Sequence, residues 1–253
     1  RIGGRIVVHF VGAGCGAADL ITVRGRRLLE EADVVLYAGS LVNPDLLSCT
    51  KKGCRLYNSA KMTLEEIGAA ILEAEEKGLV SFRLHSGDPS LYGAVREPFD
   101  FLDSHGIAYD VCPGVGSFCG AAAALRAEYT PAGISQSVVI TRTAVPVRES
   151  VRAFAAHGAA MGILLCTGLL EKRTAELLAG GYSGDAPAAV VYKGSWPDEK
   201  VLHGTAGTLS QTAKANGVEN TALVVIGGFL EKVFARSKLY SPDFTAGYRE
   251  ASE

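Results

Sequence analysis

The strongest constraint on the fold of this chain is a rhythm in its first half. Short β-rich apolar runs stand at Ile6–Val11, Val34–Tyr37, Arg55–Tyr57, Val80–Leu84 and Tyr109–Cys112. Each is followed by a glycine-rich turn and a helix-like stretch, which predicts βαβ units on a mostly parallel sheet, since parallel neighbours need a crossover long enough for a helix. One helix start is well marked. Thr63 and Glu66 are spaced as a capping box, Met62 and Ile67 as a hydrophobic staple, and Leu64, Ile67 and Ile71 share one helical face.

A second series follows the alanine-rich stretch Ala121–Leu125 and the linker-like segment Glu128–Gly133. Its runs are Val138–Thr141, Gly162–Cys166, Ala188–Tyr192, Val201–Gly204 and Ala222–Ile226, with a helix pattern at Glu171–Leu178 and a turn at Gly180–Gly184. Two α/β domains of similar size are therefore expected, residues 1–116 and 117–253, the boundary lying between Val115 and Ser137. The residues after Leu239 read as polar and loosely held.

Hydrophobic residues make up 48% of the chain and charged residues 21%, the balance of a soluble globular enzyme. A net charge of -2 gives no global field toward nucleic acid or an anionic membrane, so neither is expected as a partner. The longest apolar runs, Ala121–Leu125 and Ala222–Ile226, are too short to span a bilayer. Arg1 leads directly into a strand pattern without a secretory signal. The closest cysteine pairs, Cys49/Cys54 and Cys112/Cys119, lack CxxC spacing and neighbouring histidines, so reduced thiols, no metal and a cytoplasmic setting are expected.

Gly12-Ala13-Gly14-Cys15-Gly16 follows the first strand, where glycine lets backbone N–H groups approach a phosphate. The spacing is GxGxG rather than GxGxxG. The second strand ends in Leu36-Tyr37-Ala38-Gly39, with no acid to hold a ribose, and Asp33 stands at the wrong end of it. This argues against NAD and leaves a structural tight turn or a site for another small molecule. Further turns end the other strands: Tyr37–Leu41, His85–Pro89 and Cys112–Ser117. Ligands of open α/β sheets lie outside the carboxyl ends of the strands, so these loops are placed to converge on one crevice.

These residues also carry a family resemblance. Phe10–Gly14 with Asp19–Gly25, Ala32–Val42, Arg83–Gly93, Val111–Val115, Ile134–Arg142 and Val190–Glu199 together resemble the tetrapyrrole (corrin and sirohaem) methyltransferases, in order and over nearly the whole chain. Tyr37–Val42, Ser59–Glu66 and Tyr192–Glu199 resemble the branch that methylates C-11 of precorrin-4 or its cobalt form in cobalamin biosynthesis. The uroporphyrinogen-III branch has Asp-Arg where this chain has Ala38-Gly39. The resemblance implies two α/β domains with a cofactor cleft between them, a homodimer, S-adenosyl-L-methionine as methyl donor and S-adenosyl-L-homocysteine as its product. Carried over by position, Ser86, Gly87, Asp88 and Leu91 contact the methionine and ribose parts of the cofactor. Gly116 and Ser117 face the same ligand, and Thr167, Gly194 and Ala222 line the adenine pocket. The loop at Cys15 lies beside the substrate.

Departures from the family pattern fall at Cys15, Ala17 and Ala18, where it reads Gly-Pro-Gly-Asp-Pro, and at Gly116, where it has serine or threonine. Methyl transfer from a sulfonium is an in-line displacement that chiefly needs alignment. It agrees with a chain showing no nucleophile elbow, triad or metal cluster, and no catalytic residue is singled out. A polycarboxylate ring needs basic residues at a rim, for which Arg24, Lys61, Arg126, Arg142 and Lys193 are candidates, the last two best placed just beyond strands. His85 reads either as structural or as a substrate contact, and Tyr92 and Trp196 as packing on the ring face or in a core. Methylation of another acceptor, a nucleotide-dependent oxidoreductase and a non-catalytic binding module are the competing readings.

Overall fold

The computed structural model describes residues 7–142, 150–164, 169–231, 235, 237–245, 247 and 249–250. The chain divides into two compact units, Arg1–Gly120 with Ser195–Pro197, and Ala121–Gly194 with Asp198–Glu253. The division falls within a helix, Ser117–Leu125, at the glycine whose added Cβ would lie 2.7 Å from the Cys15 sulfur.

The first unit carries β1 (Val8–Gly12), α1 (Val23–Glu31), β2 (Val34–Tyr37), β3 (Arg55–Asn58), α2 (Leu64–Glu76), β4 (Ser81–His85), α3 (Arg96–Ser104) and β5 (Tyr109–Cys112), followed by α4 (Ser117–Leu125). Its strands form one sheet in the order β3-β2-β4-β1-β5, parallel at every pairing. Each predicted run in this half is a strand to within a residue at its described ends, Ile6 lying outside the described residues. Because the sheet is covered on both faces, β2 carries apolar residues on both of its sides, whereas β4 sets Ser81, Arg83 and His85 along one of its two. Val11, Val35, Phe82 and Leu84 pack with Leu29 of α1, while Val8, Phe10, Val34 and Leu36 pack with Ile67 and Ile71 of α2 and Leu102 of α3.

The α2 start is as its sequence predicts. Thr63 N–H donates to Glu66 Oε2 at 2.7 Å, and Glu66 N–H donates to Thr63 Oγ1 at 3.2 Å. Met62 packs on the cluster that buries Ile67. Leu64 departs from expectation: it shares the helical face but, a full turn before Ile67 and Ile71 are covered, stays 39% exposed.

The second unit carries β6 (Val138–Arg142), α5 (Val151–Ala155), β7 (Ala160–Leu164), α6 (Leu170–Ala179), β8 (Pro187–Tyr192), β9 (Lys200–Thr205), α7 (Leu209–Ala215) and β10 (Ala222–Ile226). The sheet order is β6-β7-β10-β8-β9, and here only β6 and β7 run parallel. The short link from Tyr192 to Lys200 holds no helix, so β8 and β9 can pair only as an antiparallel hairpin. Helices α5, α6 and α7 bury one face of the sheet through Val151, Leu170, Leu177, Leu209 and Ala213. The last two residues of the predicted run Gly162–Cys166 lie outside the described residues.

Candidate functional site

The strand order of the first unit sets β4, β1 and β5 side by side, so Gly12, His85 and Cys112 end three adjacent parallel strands. The loops that follow meet backbone to backbone. Ala13 N–H donates to the His85 carbonyl at 2.7 Å, Gly87 N–H to the Gly14 carbonyl at 2.8 Å, and Gly14 N–H returns to the Gly87 carbonyl at 3.3 Å. A Cβ on Gly12 would lie 2.5 Å from Gly114 Cα and 2.6 Å from the Gly87 carbonyl oxygen. A Cβ on Gly114 would lie 2.1 Å from that same oxygen. No side chain fits between these three loops. Gly14 and Gly87 also have φ of +82° and +64°, which a β-carbon disfavours.

Asp88 braces this knot. Its Oδ2 accepts Gly114 N–H at 2.7 Å, and its Oδ1 accepts Ser90 N–H at 2.8 Å and the Ser90 hydroxyl. Partial burial pushes its pKa up, but the hydrogen bonds from Ser90 and Gly114 outweigh this and hold it below the ordinary carboxylate value. The carboxylate is therefore ionised at neutral pH and already joins two of the predicted loops. Beyond it, a Cβ on Gly87 would face Gly116 Cα at 3.6 Å and Ser117 N at 3.7 Å, ordinary contact distances. The Gly116 carbonyl accepts the N–H groups of Cys119 and Gly120, opening α4. Ser86 is half-buried and Leu91 exposed. Ser86, Gly87, Asp88, Gly116 and Ser117 thus lie around one set of turns in the first unit.

The glycine loop has two anchors with no local sequence signal. Asn43, buried after β2, donates from Nδ2 to the Gly16 carbonyl at 3.0 Å. Ser195, which groups with the first unit, accepts Ala17 N–H at 3.0 Å and lies 3.4 Å from the Cys15 sulfur. Ser195 holds φ at +66°, an unfavourable backbone for a residue with a β-carbon.

The remaining candidates are dispersed. In the second unit Gly194 and Ala222 are near neighbours: Ala222 pairs in register with Tyr192, and Lys193 N–H donates to the Thr221 carbonyl at 3.0 Å. Lys193 has φ +46°, pairs with Asp198 at 2.6 Å and lies 5.4 Å from the Tyr192 ring centre. Arg142 ends β6, half-buried. Thr167 lies outside the described residues. Tyr92 is exposed with φ +58°.

His85 lies buried at the end of β4. It is 7% exposed, its ring 5.8 Å from that of Phe10, and its pKa is lowered to about 4 by burial first and the Arg83 charge second. Among the described residues no helix is long and apolar enough to cross a membrane, and no three His, Cys, Asp or Glu side chains are grouped to hold a metal ion.

Comparison with known proteins places this arrangement. The family model of the tetrapyrrole (corrin/porphyrin) methylases matches residues 7–210. The cobalt-precorrin-4 C(11)-methyltransferase of Methanocaldococcus jannaschii is 44% identical over 249 residues, 96% of each chain. The X-ray structure of a cobalt precorrin-4 methyltransferase superposes with TM-score 0.86 at 38% identity, over 88% of this chain and 95% of that one. A uroporphyrin-III C-methyltransferase from Thermus thermophilus, complexed with S-adenosyl homocysteine, is 28% identical with TM-score 0.75, over 90% of this chain and 99% of that one. On the matched length and identity, this chain belongs to the tetrapyrrole (corrin/porphyrin) methylase family.

Proposed function

We propose that this chain methylates C-11 of precorrin-4, or of its cobalt form, with S-adenosyl-L-methionine as donor and S-adenosyl-L-homocysteine as product. The observation that carries the reading is the 44% identity, over 96% of each chain, to a relative bearing that activity in its name. The glycine knot supports it. Its turns are pinned by backbone contacts rather than by bulky side chains, which suits a site that positions two ligands and performs no covalent chemistry of its own.

When bound, the cofactor supplies an activated methyl group on a sulfonium. The protein's task is alignment. Ser86, Asp88 and Leu91 offer polar groups beside an apolar side chain for the ribose and methionine parts. Asp88 acts chiefly by holding the Gly87 and Gly114 turns at fixed separation. Its ionised carboxylate also contributes a field favourable to a cation, and because that charge is shared among three hydrogen bonds it avoids over-stabilising the ground state. Gly116 and Ser117 complete the same wall. Gly194, Ala222 and Thr167 are proposed adenine contacts. Cys15, Tyr92, Arg142 and Lys193 are proposed substrate contacts, with Lys193 and Arg142 as the carboxylate partners. His85, being buried, is assigned to shaping the turn after β4. The chain is further read as a cytoplasmic homodimer.

The test supplies the purified protein with S-adenosyl-L-methionine carrying a labelled methyl group and with precorrin-4 or cobalt-precorrin-4. The product gains one methyl group, and carbon NMR places it on C-11. An unchanged product mass, with both ligands shown to bind, overturns the enzyme reading. A label on another ring carbon keeps the fold and cofactor but overturns the named step.

A further inference from the structure

The central strand of the first unit carries a polar column in an apolar core. Ser81, Arg83 and His85 alternate along β4, so they share one face, and all are at least nine-tenths buried. Ser81 Oγ, Arg83 Nε and Nη1, and His85 Nε2 have no hydrogen-bond partner. In register, Arg83 is flanked by Phe10 of β1 and Leu36 of β2. The elements packed over this face contribute Ile67, Ile71 and Ala74 from α2 and Leu102, Phe99 and Phe101 from α3, with Tyr57 and Tyr109 at its margins. Every acid on those two helices is exposed: Glu65, Glu66, Glu73, Glu75 and Glu76 on α2, and Glu97, Asp100 and Asp103 on α3. Among the described residues, no ion pair reaches Arg83.

A guanidinium in this setting stays cationic. Burial lowers the Arg83 pKa only to about 10, and His85, two residues along the same face, is neutral at pH 7 and brings no negative charge. Water satisfies donors but does not neutralise a charge. A buried cation is retained at low cost only where an opposite charge meets it. None of the described residues provides one here.

We infer that Arg83 is the centre of an internal site for a small monovalent anion of halide or formate size, held by the guanidinium N–H groups with the Ser81 hydroxyl. The site lies within the core of the first unit, on the face of β4 turned to α2 and α3, and is independent of the methyl-transfer reading.

The test follows thermal unfolding of the full chain as sodium formate or sodium bromide replaces a bulky sodium sulfonate at fixed ionic strength. The wild-type midpoint rises and then levels off with either small anion, as mass action on one native-state site requires. Arg83→Met, which keeps much of the length and apolar volume without the charge, loses the response and unfolds no lower than the wild type in the sulfonate salt. Arg83→Lys keeps a weaker response. A wild type indifferent to both anions, or a methionine variant that responds equally, overturns the site. Should the methionine variant not fold, crystals of the wild type grown in bromide decide: an anomalous peak beside Arg83 Nε and Nη1 upholds the site, and water there with no anomalous signal overturns it.

Discussion

Replacing Gly114 by alanine places a methyl carbon 2.1 Å from the Gly87 carbonyl oxygen and 2.7 Å from Gly12 Cα, both backbone atoms that no rotamer change can move. Normal contact is near 3.4 Å or more. The Pro113–Gly116 turn must therefore retreat by roughly an ångström, the scale at which overpacking costs about 1–3 kcal/mol. The same retreat stretches the 2.7 Å bond from Gly114 N–H to Asp88. Hydrogen bonds to a charged group contribute about 1.5–3 kcal/mol, and partial relaxation recovers some of it. Together these predict a loss of about 2–4 kcal/mol in the first unit. Two variants bracket the reasoning. Gly184→Ala has nothing within 4 Å of its added methyl and no positive φ, so it leaves stability nearly unchanged. Asp88→Ala removes the brace without adding volume, so it lowers stability by less than Gly114→Ala while weakening S-adenosyl-L-homocysteine binding. Urea unfolding reads the stabilities and calorimetry the affinity. A Gly114→Ala protein as stable as the Gly184→Ala protein, with unaltered affinity, would show that the three loops do not meet as described.

Two further perturbations act on the same unit. His85 titrates near 6.5 when unfolded and at about 4 when folded. Between those values the unfolded chain binds more protons, so stability falls as pH drops from about 6.5 toward 4, by up to about 3 kcal/mol. His85→Gln, which cannot charge, flattens that part of a stability–pH curve measured by urea unfolding; an unaltered slope removes His85 as its source. Ser195→Ala deletes the acceptor of Ala17 N–H. Loss of one such bond costs about 1 kcal/mol, so amide exchange at Ala17 quickens by about fivefold. Exchange at the wild-type rate would mean the hydroxyl does not hold the loop.

Much of the architecture is legible in the sequence because strands and turns are written locally. An apolar run bounded by glycine reads as a strand from its own residues, and across the described residues each of the ten runs is a strand to within two residues of its expected limits. The capping box at Thr63 and Glu66 involves groups three residues apart, so spacing alone specifies it. The convergence of turns at strand carboxyl ends follows from parallel pairing, which the helix-length crossovers require. Membership of the family is legible for a different reason: it is carried by the identities of many residues in order, not by periodicity.

What only the tertiary structure decides is who meets whom. Periodicity tells which face a strand buries but not its neighbours, so the order β3-β2-β4-β1-β5 and the placement of β10 between β7 and β8 had no local signature. Gly12, Gly87 and Gly114 each stand in a turn after a strand, but their need for a bare α-carbon arises only because the three turns fill one another's space. Asn43 and Ser195 carry no motif, and they matter through single bonds to Gly16 and Ala17 made across the fold. The polar residues of β4 are the sharpest case. Charged side chains belong at surfaces, and nothing local to Arg83 or His85 marks them for the interior. Central placement in a sheet covered on both faces buries them, and encloses the Arg83 cation in the core.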